Sequence, residues 1–150
     1  MIPYHKYSST KYTFALVLFF ALGPLLSQTT GSNSIIGSWQ FDGKSSFAEV
    51  SEEANAILDA NPHFRTKMQS IYVGKTIVFF PDGTYSQVLG NGTRTTGTWS
   101  TKENQLTITT SDGASFLFTY RAALNKLLIT TTESGQESKS LMQNQYYTKI

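Results

Sequence analysis

His63 is the residue type best suited to acid–base work or metal ligation, and it stands directly after Pro62. A catalytic or metal-binding histidine needs convergent partners, and no second ligand type accompanies this one. It is therefore expected on the surface of a helix's first turn. Glu49 and Glu53 are four residues apart, the spacing that places two carboxylates on one helical face. Glu52 beside them, and their place on the polar side of an apolar stripe, point instead to a solvated face. Serine and threonine abound, but no Gly-x-Ser-x-Gly elbow or Ser-x-x-Lys context surrounds any of them. The chain has no cysteine, which excludes disulfides, thiolate metal sites and cysteine catalysis. Asn91-Gly92-Thr93 spells a glycosylation acceptor, but it also spells a tight hairpin turn, the better explanation. The residues thus offer no catalytic constellation, no metal site and no cofactor motif, and a non-enzymatic protein is expected.

One set of side chains remains. Trp39, Phe79, Tyr85, Trp99, Phe116, Phe118, Tyr120 and Tyr146 are enough aromatic surface to line an apolar cavity, with tyrosine hydroxyls to orient a ligand. The same residues would equally make an ordinary filled core. Which of the two applies depends on the elements that hold them.

From Lys75 onward the hydrophobic period is two. Strands are expected at 76–80, 84–89, 94–101, 105–110, 115–121, 126–132 and 139–148. Turn chemistry separates them, notably Pro81-Asp82-Gly83, Asn91-Gly92 and Ser111-Asp112-Gly113. An earlier strand is expected at 35–41. The faces of 77, 79, 85, 99, 106, 108, 116, 118, 120, 127 and 129 are assigned inward, and Thr96, Thr107, Thr109, Thr119 and Arg121 outward. Seven consecutive antiparallel strands leave two open edges unless they close. Pairing with the first strand gives an all-β, eight-stranded antiparallel up-and-down barrel. A β-sandwich is the alternative closure. Eight strands enclose an interior that side chains fill or that holds one small ligand.

Between the first strand and the meander the period changes to helical. Ser46 and Glu49 have the spacing of a capping box, and Phe47, Val50, Ala54, Ile57 and Leu58 form one stripe. Asn61-Pro62 stops that helix and starts another, faced by Phe64, Met68 and Ile71. Two helices are expected, at 46–60 and 62–71. The lid residues are Phe47, Val50, Ile57, Leu58, Phe64 and Met68, with Gly43 and Gly74 as hinges.

Gly37-Ser38-Trp39 resembles the G-x-W signature of lipocalins. Together with Pro81-Asp82-Gly83-Thr84-Tyr85, Gly97-Thr98-Trp99-Ser100 and Leu106-Thr107-Ile108, it is similar to small secreted lipocalin-like domain proteins of the Bacteroidota type. The resemblance covers about 35–150. It implies a barrel whose first tryptophan plugs the closed end. Two helices after the first strand depart from typical lipocalins and match the placement in fatty-acid-binding proteins, where they cover the barrel mouth. Lipocalins also pack a basic residue near the chain end on that tryptophan. Lys149 is the only charged residue after Lys139, and it is not assigned that role.

The N-terminus reads as an address. Lys6 and Lys11 precede an apolar run at 14–22, extended past Gly23-Pro24 by Leu25-Leu26. This is the layout of a secretory signal peptide, and the run is short of the ~20 residues a spanning helix needs. Residues 1–27 are read as the signal and 28–34 as a polar leader, with no cysteine for a lipid anchor; an uncleaved anchor is the alternative. Removing Lys6 and Lys11 takes the formal charge from +2 to zero, so no footprint for nucleic acid or an anionic bilayer remains. The expected protein is exported to the periplasm or beyond, monomeric, without an integral membrane segment in its mature chain. It binds a small apolar molecule in the lumen, or, alternatively, is a filled-barrel interaction or inhibitor module.

Overall fold

The computed structural model describes residues 35–132 and 141–150. The expected signal segment 1–27, the leader 28–34 and the start of the 139–148 strand lie outside these residues. Eight strands follow the turn chemistry closely: β1 Gly37–Phe41, β2 Thr76–Phe79, β3 Thr84–Val88, β4 Arg94–Lys102, β5 Gln105–Thr110, β6 Ser115–Ala123, β7 Lys126–Thr131 and β8 Asn144–Lys149. Each pairs antiparallel with its sequence neighbour, and β1 also pairs with β8, closing the barrel. The sandwich alternative is thereby excluded. Closure leaves no edge strand to recruit another chain.

The strand directions give the barrel two different ends. At one end lie the N-terminal entry at Ile35, the β2–β3, β4–β5 and β6–β7 turns, and the C-terminus. This end is closed. Trp39 is fully buried, and its indole N–H donates to Ile35 O at 2.7 Å. The Trp99 indole donates to Phe80 O at 3.0 Å and meets Phe79 edge-on, with centroids 5.4 Å apart. Both tryptophans thus bury apolar area while satisfying their one polar atom. The glycines before them have separate reasons. Gly37 has φ +128°, a backbone that L side chains rarely adopt. At Gly97 a Cβ would overlap the Thr109 carbonyl of the neighbouring strand.

At the other end β1 gives way to helices. There are three rather than two: α1 Gly43–Ala48, α2 Glu52–Ala60 and α3 Pro62–Tyr72. The expected capping box does not form. Asp42 caps the first helix instead, its carboxylate accepting from Ser45 N at 3.1 Å and Ser45 Oγ at 2.8 Å. The helix ends after one and a half turns, and Ser51 caps the next by accepting from Ala54 N at 3.1 Å. Pro62 does open α3, but the Asn61 side chain makes no cap bond. Its amide donates backward to Ile57 O at 2.9 Å.

The break between α1 and α2 re-aims the stripe. Val50, Ala54 and Leu58 are buried against the barrel, but Ile57 is 46% exposed. On α3, Met68 is buried, whereas Phe64, a turn nearer the α2–α3 bend and beyond the rim, is 42% exposed. Ile57 and Phe64 are therefore not part of the inward face of the lid.

Candidate functional site

Burial along single strands locates the mouth. On β6 the inward positions run from Phe116, 50% exposed, through half-buried Phe118 to Tyr120, 5% exposed. On β4 the same order runs from Thr95 and Gly97 to buried Trp99. Deeper still, Trp39, Phe79, Ile77, Leu106 and Leu127 are packed with essentially no exposure. The closed half of the barrel is a filled core, and the inward faces become more exposed towards the half near the helices. This divides the aromatic set: Trp39, Phe79 and Trp99 belong to the floor, Tyr85 and Tyr120 to the middle, and Phe116 and Phe118 to the mouth.

A solvent-open cleft of about 550 Å³ lies on the β4–β6 rim of the mouth, lined by Thr95, Thr96, Thr110, Ser111 and Phe116, with Arg94, Asp112 and Ala114 beside them. Asp112 accepts from Thr110 Oγ1 and from Ala114 N in the turn between β5 and β6. These bonds, the Thr110 hydroxyl first, hold its carboxyl below the usual range. Tyr85 lies on the inward face below. Burial raises its phenol, and the nearby Asp112 charge adds to the effect. Tyr120 Oη is buried and has no hydrogen-bond partner among the described residues. An unmet hydroxyl in a barrel interior is costly and asks for a polar partner.

Tyr146 does not join this set. It lies on the outer face of β8, and its neighbour Tyr147 is the inward residue, fully buried and paired with Phe41 and Leu127. The Tyr146 hydroxyl instead donates to Glu49 at 2.6 Å, and Asn144 donates to the same carboxylate at 2.8 Å. The Tyr146 bond, then the Asn144 bond, holds the Glu49 carboxyl below its ordinary value. Ser46 adds a second anchor, its buried hydroxyl accepting from Tyr146 N at 2.9 Å. Glu49 is thus exposed with Glu52 and Glu53, as expected of a solvated face, and it also pins the end of α1 to β8.

The helices roof the opposite side of the mouth, over β1, β2 and β8. Phe47 meets Phe41 edge-on at 6.0 Å, and Tyr72 meets Phe41 at 5.4 Å. The end of α3 is tied to the turn after β3 by Gly90 N donating to Ile71 O at 2.8 Å. Under this roof sits a residue that the sequence does not single out. Lys75 faces inward at the start of β2 and is only 7% exposed. Its ammonium donates to Gln145 Oε1 at 2.9 Å and lies 5.4 Å from the Tyr72 ring centroid and 5.6 Å from that of Tyr147. Burial pulls its pKa down to about 8. One lysine between Gly74 and Thr76 carries no pattern, and only the helix folding over it makes it a site.

Lys149 also differs from the sequence reading. Its ammonium lies 5.4 Å from the Trp39 ring centroid, and its stem passes Gly37, where a Cβ would stand 3.0 Å from Lys149 Cε. It does pack on the closed-end tryptophan, as a cation on an aromatic face. Its place next to the C-terminus on β8, directly opposite Trp39 on β1, was the available signal. His63 is exposed. Among the described residues no group of three histidine or acidic side chains could hold a metal ion, and no helix is long and apolar enough to cross a membrane.

The model of the lipocalin-like domain matches residues 35–145 of the chain. Among solved structures, a DUF4847 family protein from Bacteroides vulgatus is similar at 19% identity over 77% of this chain and 92% of its own, with a TM-score of 0.43. No curated protein sequence matches. With a closed eight-stranded barrel, a G-x-W tryptophan at its sealed end and a family model spanning nearly all of the barrel, the chain belongs to the lipocalin-like domain family.

Proposed function

We propose that the protein is an exported carrier of one small, largely apolar molecule, held in the mouth half of the barrel between the cleft beside Phe116 and the helical insert. The observation that carries this reading is the opening beside Phe116. A cleft of about 550 Å³ there falls within the ~300–1,000 Å³ of small-molecule sites. It opens beside Phe116, at the outer end of the inward β6 face on which, two positions past half-buried Phe118, Tyr120 Oη lacks a partner among the described residues. The helices suit a lid: α1 is pinned to β8 by Glu49 and Ser46, while α2 and α3 reach the barrel through a few side chains, Ala54, Leu58, Met68 and Tyr72, and the Gly90 bond. Elements held by few contacts open at low free-energy cost. Export rests on the Lys6/Lys11 start and the apolar run at 14–22, with cleavage after Ser27. N-terminal sequencing of exported material checks that part; a mature chain still starting at Met1 overturns it.

The binding claim is tested with Nile red, a neutral apolar probe. Saturable one-to-one binding that weakens on Phe116→Glu, with the fold intact by circular dichroism, supports a carrier. No saturable binding in the wild-type protein contradicts it and favours a filled-barrel interaction module.

A further inference from the structure

The Lys75 site goes further than an apolar lumen requires. An ammonium has three donor hydrogens. Gln145 Oε1 takes one of them, and that oxygen is shared, because Tyr147 Oη donates to it at 2.8 Å. Among the described residues no carboxylate lies within ion-pair distance of Lys75 Nζ; the two ion pairs present are Arg65–Asp59 and Lys126–Asp42. Two phenol rings soften the burial as cation–π partners, but they supply no negative charge. Buried charges are ordinarily paired, and a lone one lowers stability. A lysine that merely filled this position would be replaced by a methionine or leucine at a gain.

The geometry places that missing charge. Lys75, Gln145, Tyr147 and Phe41 all point inward, on β2, β8 and β1, under the helical roof. The mouth-half interior lies across from them, along the inward face of β6 from Tyr120 through half-buried Phe118 to Phe116 and its cleft. A molecule lying with its tail along that interior and its head at the roof would bring the head to Lys75 Nζ.

We infer that Lys75 is the head-group receptor of the barrel and that the ligand is an apolar-tailed carboxylate, whose oxygens take the two free ammonium hydrogens while Gln145 supports the site from the side. This rests on the carrier reading and narrows it from any apolar molecule to an amphiphilic anion. Tyr72 on α3 forms one wall of the site, so the ligand head and the lid share a residue. Entry requires α3 to swing away, and the bound carboxylate draws Lys75 and its roof together.

The test is isothermal titration of the full chain with two probes of equal tail length, dodecanoate and dodecanol, on the wild-type protein and on Lys75→Met. A charge-assisted pair in a buried site is expected to favour the acid over the alcohol by roughly tenfold or more. Lys75→Met should erase that preference, with dodecanoate losing roughly tenfold or more relative to dodecanol, since only the acid loses a charge-assisted partner. Lys75→Gln, which retains a hydrogen-bonding group beside Gln145, should erase the preference equally and carries the test if the methionine variant does not fold. Equal binding of acid and alcohol by the wild-type protein overturns the inference and leaves the carrier reading standing. A preference that survives both substitutions also overturns it. Binding of neither probe overturns both readings.

Discussion

Replacing Lys75 by methionine should make the protein more stable at neutral pH. Burial lowers the Lys75 pKa from 10.5 to about 8. At 1.36 kcal/mol for each pH unit, holding this ammonium charged in the folded state costs about 3 kcal/mol. Methionine fills a similar volume and carries no charge. It forfeits the bond to Gln145 Oε1, but that oxygen keeps the Tyr147 hydroxyl. A net gain of about 1–3 kcal/mol is expected, a sizeable step against a total of ~5–15 kcal/mol. The sign with pH follows. Between about 8 and 10.5 the unfolded chain binds the proton that the folded chain has released, so wild-type stability rises with pH across that window. The full cost is present below it. Two other titratable groups face Lys75, Tyr72 on α3 and Tyr147 on β8, and burial raises both phenols above 10.0. They oppose the trend only above about pH 10, which leaves pH 8 to 10 as the clean interval. Urea unfolding followed by fluorescence of the two buried tryptophans at pH 7, 8, 9 and 10 reads both effects. The variant should start higher, and the gap should shrink towards pH 10. A variant less stable than wild type at pH 7, or a gap that stays constant to pH 10, would refute the reasoning that a charged, uncompensated lysine sits under the roof.

Two further outcomes follow from the packing. Trp39→Ala empties the sealed end, leaves Ile35 O without its donor and frees the Lys149 ammonium from its ring, so a loss of ~3–5 kcal/mol by denaturant titration is expected; a loss under about 1 kcal/mol would show that the tryptophan is no plug. Gly90→Ala puts a Cβ into the carbonyls of Val73 and Ser70 at the end of α3, an overpacking worth ~1–3 kcal/mol, so amide exchange should quicken in Pro62–Tyr72 and stay slow in the strands; equal quickening throughout would mean the helices unfold only with the barrel.

The strands and turns were legible because two-residue alternation and glycine-bearing turns act locally. Asn91-Gly92 and Ser111-Asp112-Gly113 turn the chain wherever they are placed, and the turn glycines 92 and 113 take positive φ as such turns require. Closure was legible from edge strands that would otherwise stay unpaired. The errors share another cause. Gln145-Tyr146-Tyr147-Thr148 has no alternation, so the inward tyrosine is chosen by pairing with Phe41 and Leu127, residues distant in sequence. Ser46-x-x-Glu49 has the spacing of a cap, but Asp42 lies closer to the strand end and captures the helix start, releasing Ser46 and Glu49 to bind β8. Lys75 acquires its meaning only from what folds over it, and Lys149 from the register that sets it opposite Trp39. Local chemistry thus wrote the scaffold, and long-range packing wrote the head-group site.

The most direct measurement of the central claim is native mass spectrometry of the protein purified from its own cells and export route, followed by denaturation of the same sample. A carrier with Lys75 as head-group receptor predicts a one-to-one adduct that is lost on denaturation and recovered as an aliphatic carboxylic acid. A bare protein mass throughout, or an equimolar complex with a second protein and no small molecule, would contradict it.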